Sequence, residues 1–363
     1  MPDGMERRRF LGVAGLAAGV TVAAPAVARA APRVKWRIAS GFPQSLDVLR
    51  GAGTLFCETI AEMSDGAFTA TLAGPGEGAA PSDAADAVTR GAVEAAHTAS
   101  CYSTSKDPAF ALGTATPFGP NTRQMAGWLR SGGTELLDAF YARFGFAGLP
   151  CGATGAQMGG WFSRDVSGLG DLKGLRITTA GLSGEVYRKL GAEPRELAGA
   201  EVYASLEKHD IDAAEWAGPY DDQKLGLQQV AKNYLYPGWR GGAVAHLFVG
   251  RAAWDELPRA YKAMARAAAA LVTETTLARY DAGNPKALRE IVAAGARLKP
   301  FPRDVMEAAY KASQDVFADL YEKSPDFRKI HESQAAFRNE DLLWFRVAEL
   351  PFDVFIAQMQ ARG

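Results

Sequence analysis

An α/β fold in two domains is what this sequence predicts, and three observations carry the prediction. The chain runs β-α-β-α-β from residue 34, a rhythm that builds a mostly parallel sheet with helices on its faces. A similar rhythm returns near residue 159. From about residue 252 the texture turns Ala-rich and helical. With 363 residues, 48% apolar and 22% charged, the chain can bury a real core in one large domain or two ordinary ones.

Each element has its own reason. VKWRIAS (34–40) alternates apolar and polar residues, as a half-buried strand does. Leu46, Leu49, Leu55, Ile60 and Met63 recur near helical spacing and stop at Ser64-Asp65-Gly66. AFTATLAG (67–74) alternates again. Ser82, followed by acidic residues, suits a helix start that runs to Gly91, and VEAAHTA (93–99) suits a buried strand. GGWFSRD (159–165) is strand-like, LKGLRITTAG (172–181) a loop and strand, and SGEVYRKLGA (183–192) a helix. GAEVYASLEKHD (199–210) is a helix, and IDAAEWAGP (211–219) a strand entering a loop. Residues 252–295 are helical, RLKPFP (297–302) is a short strand, and the remainder is helical.

Residues 1–30 read as a separate object. Arg7 and Arg8, followed by Phe10 and Leu11, match a twin-arginine export signal, and Ala28-Arg29-Ala30 matches a cleavage site. Either this pathway or an ordinary secretory signal exports the chain. The formal charge of −1 becomes about −3 once this +2 segment is removed, so no nucleic-acid or anionic-membrane partner is indicated. Cys57, Cys101 and Cys151 cannot all pair internally, and small buried apolar residues are the expected role for most of them.

No Walker loop, nucleophile elbow or zinc helix occurs, and GGWF lacks dinucleotide-turn spacing. His97, His209, His246 and His331 are scattered and read as structural or surface residues. What remains is aromatic and polar. Gln157 stands before GGWF, Glu215 and Trp216 end an apolar strand, and Trp239 and Arg240 sit at a Gly-rich turn in YLYPGWRGG (234–242). Carboxylate, amide and indole groups at strand ends are what an α/β cleft uses to hold a small polar molecule.

These segments resemble the extracytoplasmic solute receptors of tripartite ATP-independent periplasmic (TRAP) transporters, nearest the branch that binds 2-oxo acids and related monocarboxylates. The matching stretches are DAADAVTRGAVEAAHTASCY, KDPAFALGTATPFG, AQMGGWF, DLKGLRITTAGLSGEVYRKLGAE, IDAAEWAGPYDD and YLYPGW, in family order across most of 34–250. The resemblance implies a two-domain periplasmic binding protein fold, each domain a mostly parallel sheet flanked by helices, with long C-terminal helices. The expected layout is a signal peptide at 1–30, domain I at 31–156 and 246–300, and domain II at 157–245. Residues 301–363 would form a helical region packing across both domains. LLWFRVAELPFDVF (342–355) is similar to the branch whose terminal helix swaps between subunits, so a homodimer is implied. Solute would close into the interdomain cleft and pass to a membrane permease.

The resemblance places Gln157, Glu215 and Trp216 at the ligand, with Gln157 and Glu215 as candidate contacts to a bridging Na or Ca ion. Trp161 and Tyr102 are candidate walls. Two departures stand out. Where the family carries a carboxylate-binding arginine after DLKGL, this chain has Thr178; Arg176 lies two residues earlier, about 7 Å away along a strand. Where the branch often reads P-G-W-W-E, this chain reads Pro237-Gly238-Trp239-Arg240-Gly241, which loses a metal-binding carboxylate.

A roomier, more neutral cleft is the expected result, and two solute classes follow. A carboxylate would use Arg240 or Arg176 as a relocated anchor. A larger neutral or apolar molecule would use Gln157, Thr178 and Glu215 as anchors and Trp161, Trp216 and Trp239 as walls. Such a receptor would serve transport, or sensing and lipid carriage without a permease. A reading of another class is an exported hydrolase using Glu215 with Asp221 and Asp222.

Overall fold

The computed structural model describes residues 32–73 and 83–362. The export signal and the Ser82 helix start lie outside the described residues. The first region runs β1 (Val34–Ser40), α1 (Leu49–Met63), β2 (Phe68–Leu72), α2 (Ala84–Thr89) and β3 (Ala95–Ala99), the βαβαβ order expected. Three helices follow, α3 (Ala111–Thr114), α4 (Thr122–Trp128) and α5 (Thr134–Ala142), before β4 (Phe146–Ala153). Next come β5 (Gly160–Phe162), β6 (Arg176–Thr178), α6 (Ser183–Lys189), β7 (Glu193–Arg195), α7 (Gly199–Glu207) and β8 (Ala213–Ala214). They lead through α8 (Pro219–Lys224) and α9 (Leu227–Val230) to β9 (Asn233–Tyr236) and β10 (Val244–Gly250). The remainder is α10 (Arg251–Asp255), α11 (Arg259–Ala293), β11 (Arg297–Pro300), α12 (Arg303–Lys323), α13 (Pro325–Ala348) and α14 (Leu350–Gln360).

Two mixed sheets result, ordered β2-β1-β3-β10-β4 and β11-β9-β5-β8-β6-β7. Each is mostly parallel with one reversed strand. In the first sheet, β10 runs antiparallel to both β3 and β4. In the second, β5 runs antiparallel to both β8 and β9. The reversed strands are the ones entered straight from the other sheet: β4 leads to β5 through 154–159, and β9 leads to β10 through 237–243. A third crossing is α11, whose 35 residues span about 52 Å at 1.5 Å per residue. Thr273 and Thr276 of α11 accept hydrogen bonds from the backbone N–H groups of Gly152 and Ala153 at the end of β4. Further along, its Tyr280 donates to Asp221 on α8.

Strand β11 was expected with the first domain. It pairs in parallel with β9 in the second sheet, because α11 carries the chain across before the strand forms. Helix α12 packs on α6, and α13 packs on α4 and α5. Asp47, ahead of α1, accepts from Tyr220 and Arg279 and pairs with Lys224.

Cys57, Cys101 and Cys151 are buried and free. Burial pushes the Cys57 thiol up to about 12 and Cys101 up to about 11. His97 and His246 are fully buried, and burial lowers both to about 4; His97 Nε2 meets the Cys151 carbonyl.

Candidate functional site

The two loop crossings meet at a cavity of about 70 Å³. The first crossing supplies Thr154 and Gln157, and the second supplies Arg240 and Ala243. The first sheet and its following turn add Ala99, Cys101 and Tyr102; the second adds Thr178, Thr179, Glu215 and Trp216. The structure therefore brings together Gln157, Thr178, Glu215, Trp216, Tyr102 and Arg240.

Trp161 and Trp239 do not line this cavity. On β5 the Trp161 side chain turns to the helix side, stacks on Tyr234 at 4.1 Å between centroids, and donates from Nε1 to Asp222 at 3.0 Å. The glycine before it has a packing reason. Gly160 has φ +111°, and a Cβ there would lie 2.5 Å from the Ala214 carbonyl oxygen on neighbouring β8. The close approach at Gly160 is thus to a strand. Trp239 stacks on Tyr187 at 4.3 Å within the core, while its neighbour Arg240 reaches the cavity.

The arginine question resolves geometrically. Arg176 forks onto Asp212, with Nε 3.0 Å from Oδ2 and Nη2 2.7 Å from Oδ1, outside the lining. Arg240 is 6% exposed, and its Nη2 lies 3.2 Å from Glu215 Oε1 and 3.4 Å from the Trp216 carbonyl oxygen. The other Glu215 oxygen accepts from Thr179 Oγ1 at 2.5 Å. Opposite charges beside one another make this wall near neutral, as the sequence suggests. The Arg240 guanidinium reaches into the space beside Glu215. Gly241 does not face it: a Cβ there would lie 2.9 Å from Asn121 Cα.

Three polar atoms of the lining residues are buried without a partner: Gln157 Oε1, Trp216 Nε1 and Arg240 Nε. Buried polar groups are nearly always paired, so these three atoms stand out in the lining. Sequence reasoning missed Thr154, whose Oγ1 accepts from Gln157 Nε2 at 3.2 Å, and Glu196, a second carboxylate in the lining. Thr154 stands three residues before Gln157, close enough to have been considered. Glu196 carries no local signal; burial raises its carboxyl above the ordinary range.

Asp221 and Asp222 lie in α8 rather than on a strand, and they do not enter the cavity. Asp221 accepts from Tyr280 at 2.7 Å, and Asp222 accepts from Tyr234 at 2.7 Å and Trp161. Both carboxylates are buried away from the cavity.

A cleft between two mixed sheets joined by several crossings defines the class: a two-lobed solute-binding protein. Residues 40–324 match the model of bacterial extracellular solute-binding protein family 7, and the chain belongs to that family. It is 39% identical over 98% of its length to the whole of a monocarboxylate 2-oxoacid-binding periplasmic protein of Nostoc sp. strain PCC 7120. A TRAP transporter solute-binding protein of Bordetella bronchiseptica RB50 superposes with TM-score 0.89 at 39% identity, over 91% of this chain and 99% of that one. That structure is a mixed-occupancy dimer with calcium and picolinate in its occupied site. A relative from Pseudoalteromonas atlantica T6c, with sodium and pyruvate bound, superposes with TM-score 0.83 at 28% identity, over 88% of this chain and 98% of that one. The expectation of a Na or Ca ion beside the ligand matches what these relatives hold.

Proposed function

We propose that this protein is an exported receptor for a small 2-oxo acid or related monocarboxylate, which it delivers to a TRAP-type permease. The observation that carries the reading is Arg240: a buried guanidinium with an unpartnered Nε, in the wall of a small cavity. A guanidinium offers a carboxylate a charge-assisted, planar fork, and the Trp216 indole N–H adds a second donor. Gln157 can donate with its free amide hydrogen or accept with Oε1. A volume near 70 Å³ equals about two waters at roughly 30 Å³ each, which suits a pyruvate-sized solute better than a lipid-like one. The relatives that bind picolinate, pyruvate or 2-oxo acids support the same solute class.

In this reading the lobes are 31–156 with 246–296, and 157–245 with β11. They close on the solute about the three crossings, with the Asp47 contacts to Tyr220 and Lys224 as a latch. The protein binds rather than transforms its solute. Twin-arginine export is supported by Arg7, Arg8, Phe10 and Leu11. A homodimer is supported by the apolar face of the terminal helices, where Leu343, Trp344, Val347, Phe352 and Phe355 are exposed.

A thermal-shift panel of 2-oxo, 2-hydroxy and aromatic carboxylates tests the solute class. At about 100 times its Kd a ligand adds about 2.7 kcal/mol, a shift of several degrees. At least one 2-oxo acid should produce it. No shift with any member at millimolar concentration would remove the reading.

A further inference from the structure

We propose that Arg240 takes the place that a metal ion holds in the relatives, so that this receptor captures its solute without a cation. The inference rests on the carboxylate reading above and concerns how the same site meets the anion.

A hard cation needs a shell of oxygens. Calcium takes about six to eight, usually with several carboxylates among them. Among the described residues no three His, Cys, Asp or Glu come together to form such a group. The oxygen-bearing groups at the cavity include Glu215, Glu196, Gln157 and the Trp216 carbonyl beside Arg240. Two of them already face a cation that belongs to the chain: Arg240 Nη2 lies 3.2 Å from Glu215 Oε1 and 3.4 Å from the Trp216 carbonyl oxygen. The second Glu215 oxygen is held by Thr179. The Glu215 charge is matched by Arg240, and a divalent ion added beside Glu215 would sit against that guanidinium. The donor set therefore does not fit a metal.

The run Trp239-Arg240-Gly241 brings a positive side chain to the cavity, while Gly241 packs against Asn121 instead. The tethered charge then serves two purposes. It neutralises Glu215 through Nη2 and leaves Nε, unpartnered in this structure, for the solute carboxylate.

The test uses the full chain, stripped with EDTA and held in sodium-free buffer. Potassium pyruvate is titrated in by calorimetry with no added metal, with 1 mM calcium, and with 100 mM sodium. Affinities within about two-fold of one another are expected, with well under one calcium per chain by elemental mass spectrometry. Arg240→Gln should bind at least ten-fold more weakly without metal and regain part of that loss with calcium, because Glu215 is released. A wild-type affinity that falls ten-fold or more on stripping and returns with calcium overturns the proposal. If no oxo acid binds under any condition, the solute reading fails by itself. Calcium alone, titrated into the stripped wild type, then decides the cation question. Lack of saturable binding supports the proposal, and one tight site per chain overturns it.

Discussion

Two arginine–carboxylate pairs in the second sheet's neighbourhood look alike in sequence and differ in every physical respect. Arg176 and Asp212 make a saturated pair. Asp212 accepts both guanidinium bonds and the Arg176 backbone N–H, and the pair is partly solvated. Hydrogen bonding to Arg176 holds the Asp212 carboxyl below its ordinary range. Arg240 and Glu215 make an unsaturated pair. Both are nearly buried, they touch through one 3.2 Å contact, and Nε has no partner. A pair whose bonding capacity is filled holds strands together. A buried pair with capacity left over is available to a ligand.

The largest expected effect comes from breaking the unsaturated pair. Arg240→Gln leaves Glu215 as a buried charge without its counter-ion, which costs about 3 kcal/mol of stability. Chemical denaturation should show that loss, and solute affinity should fall by about two orders of magnitude.

A middle-sized effect concerns the buried acids behind the cavity. Burial raises Asp221 from 3.8 to about 7 and Asp222 from 3.8 to about 6. The folded state then holds more protons than the unfolded state between about pH 4 and pH 7. Stability from this source is present at the acidic end and is lost as pH rises through that window. His97 and His246, lowered by burial to about 4, contribute with the opposite sign below about pH 6.5, so the acids are read by difference. From pH 5 to pH 8 the wild type should lose a few degrees of Tm relative to Asp222→Asn. No difference between the two series, or one of opposite sign, would contradict the role given to these acids.

The smallest effect belongs to the saturated, partly exposed pair. Arg176→Ala should cost no more than about 1 kcal/mol, since solvent screens it, and should leave solute affinity unchanged.

Much of the fold was legible because the signals were local. Alternation in 34–40, helical spacing in 46–64 and the Ala-rich texture of α11 each report a single element. Strands β7, β9 and β10 and helices α3 to α5 gave no such reading. A three-residue strand such as Glu193–Arg195 is too short to show a period, and β10 is buried along nearly its whole length. The site was legible where a motif carried it: Gln157, Glu215 and Trp216 all reach the cavity. It was misread at Trp161, because the face a side chain takes depends on strand register in a mixed sheet, and at Trp239, whose direction is set by the path of the second crossing. Glu196 enters only through the tertiary path after β7. The choice between Arg176 and Arg240 depended on which guanidinium already had a complete partner, and that is invisible in one dimension.

The central claim is that the arginine in the crossing, not the one on the strand, holds the solute. Calorimetric titration of pyruvate into Arg240→Gln and Arg176→Ala, side by side with the wild type, tests it most directly. The account predicts wild-type affinity in Arg176→Ala and a loss of about a hundred-fold in Arg240→Gln. Equal affinities in a folded Arg240→Gln and the wild type, or a loss confined to Arg176→Ala, would contradict it.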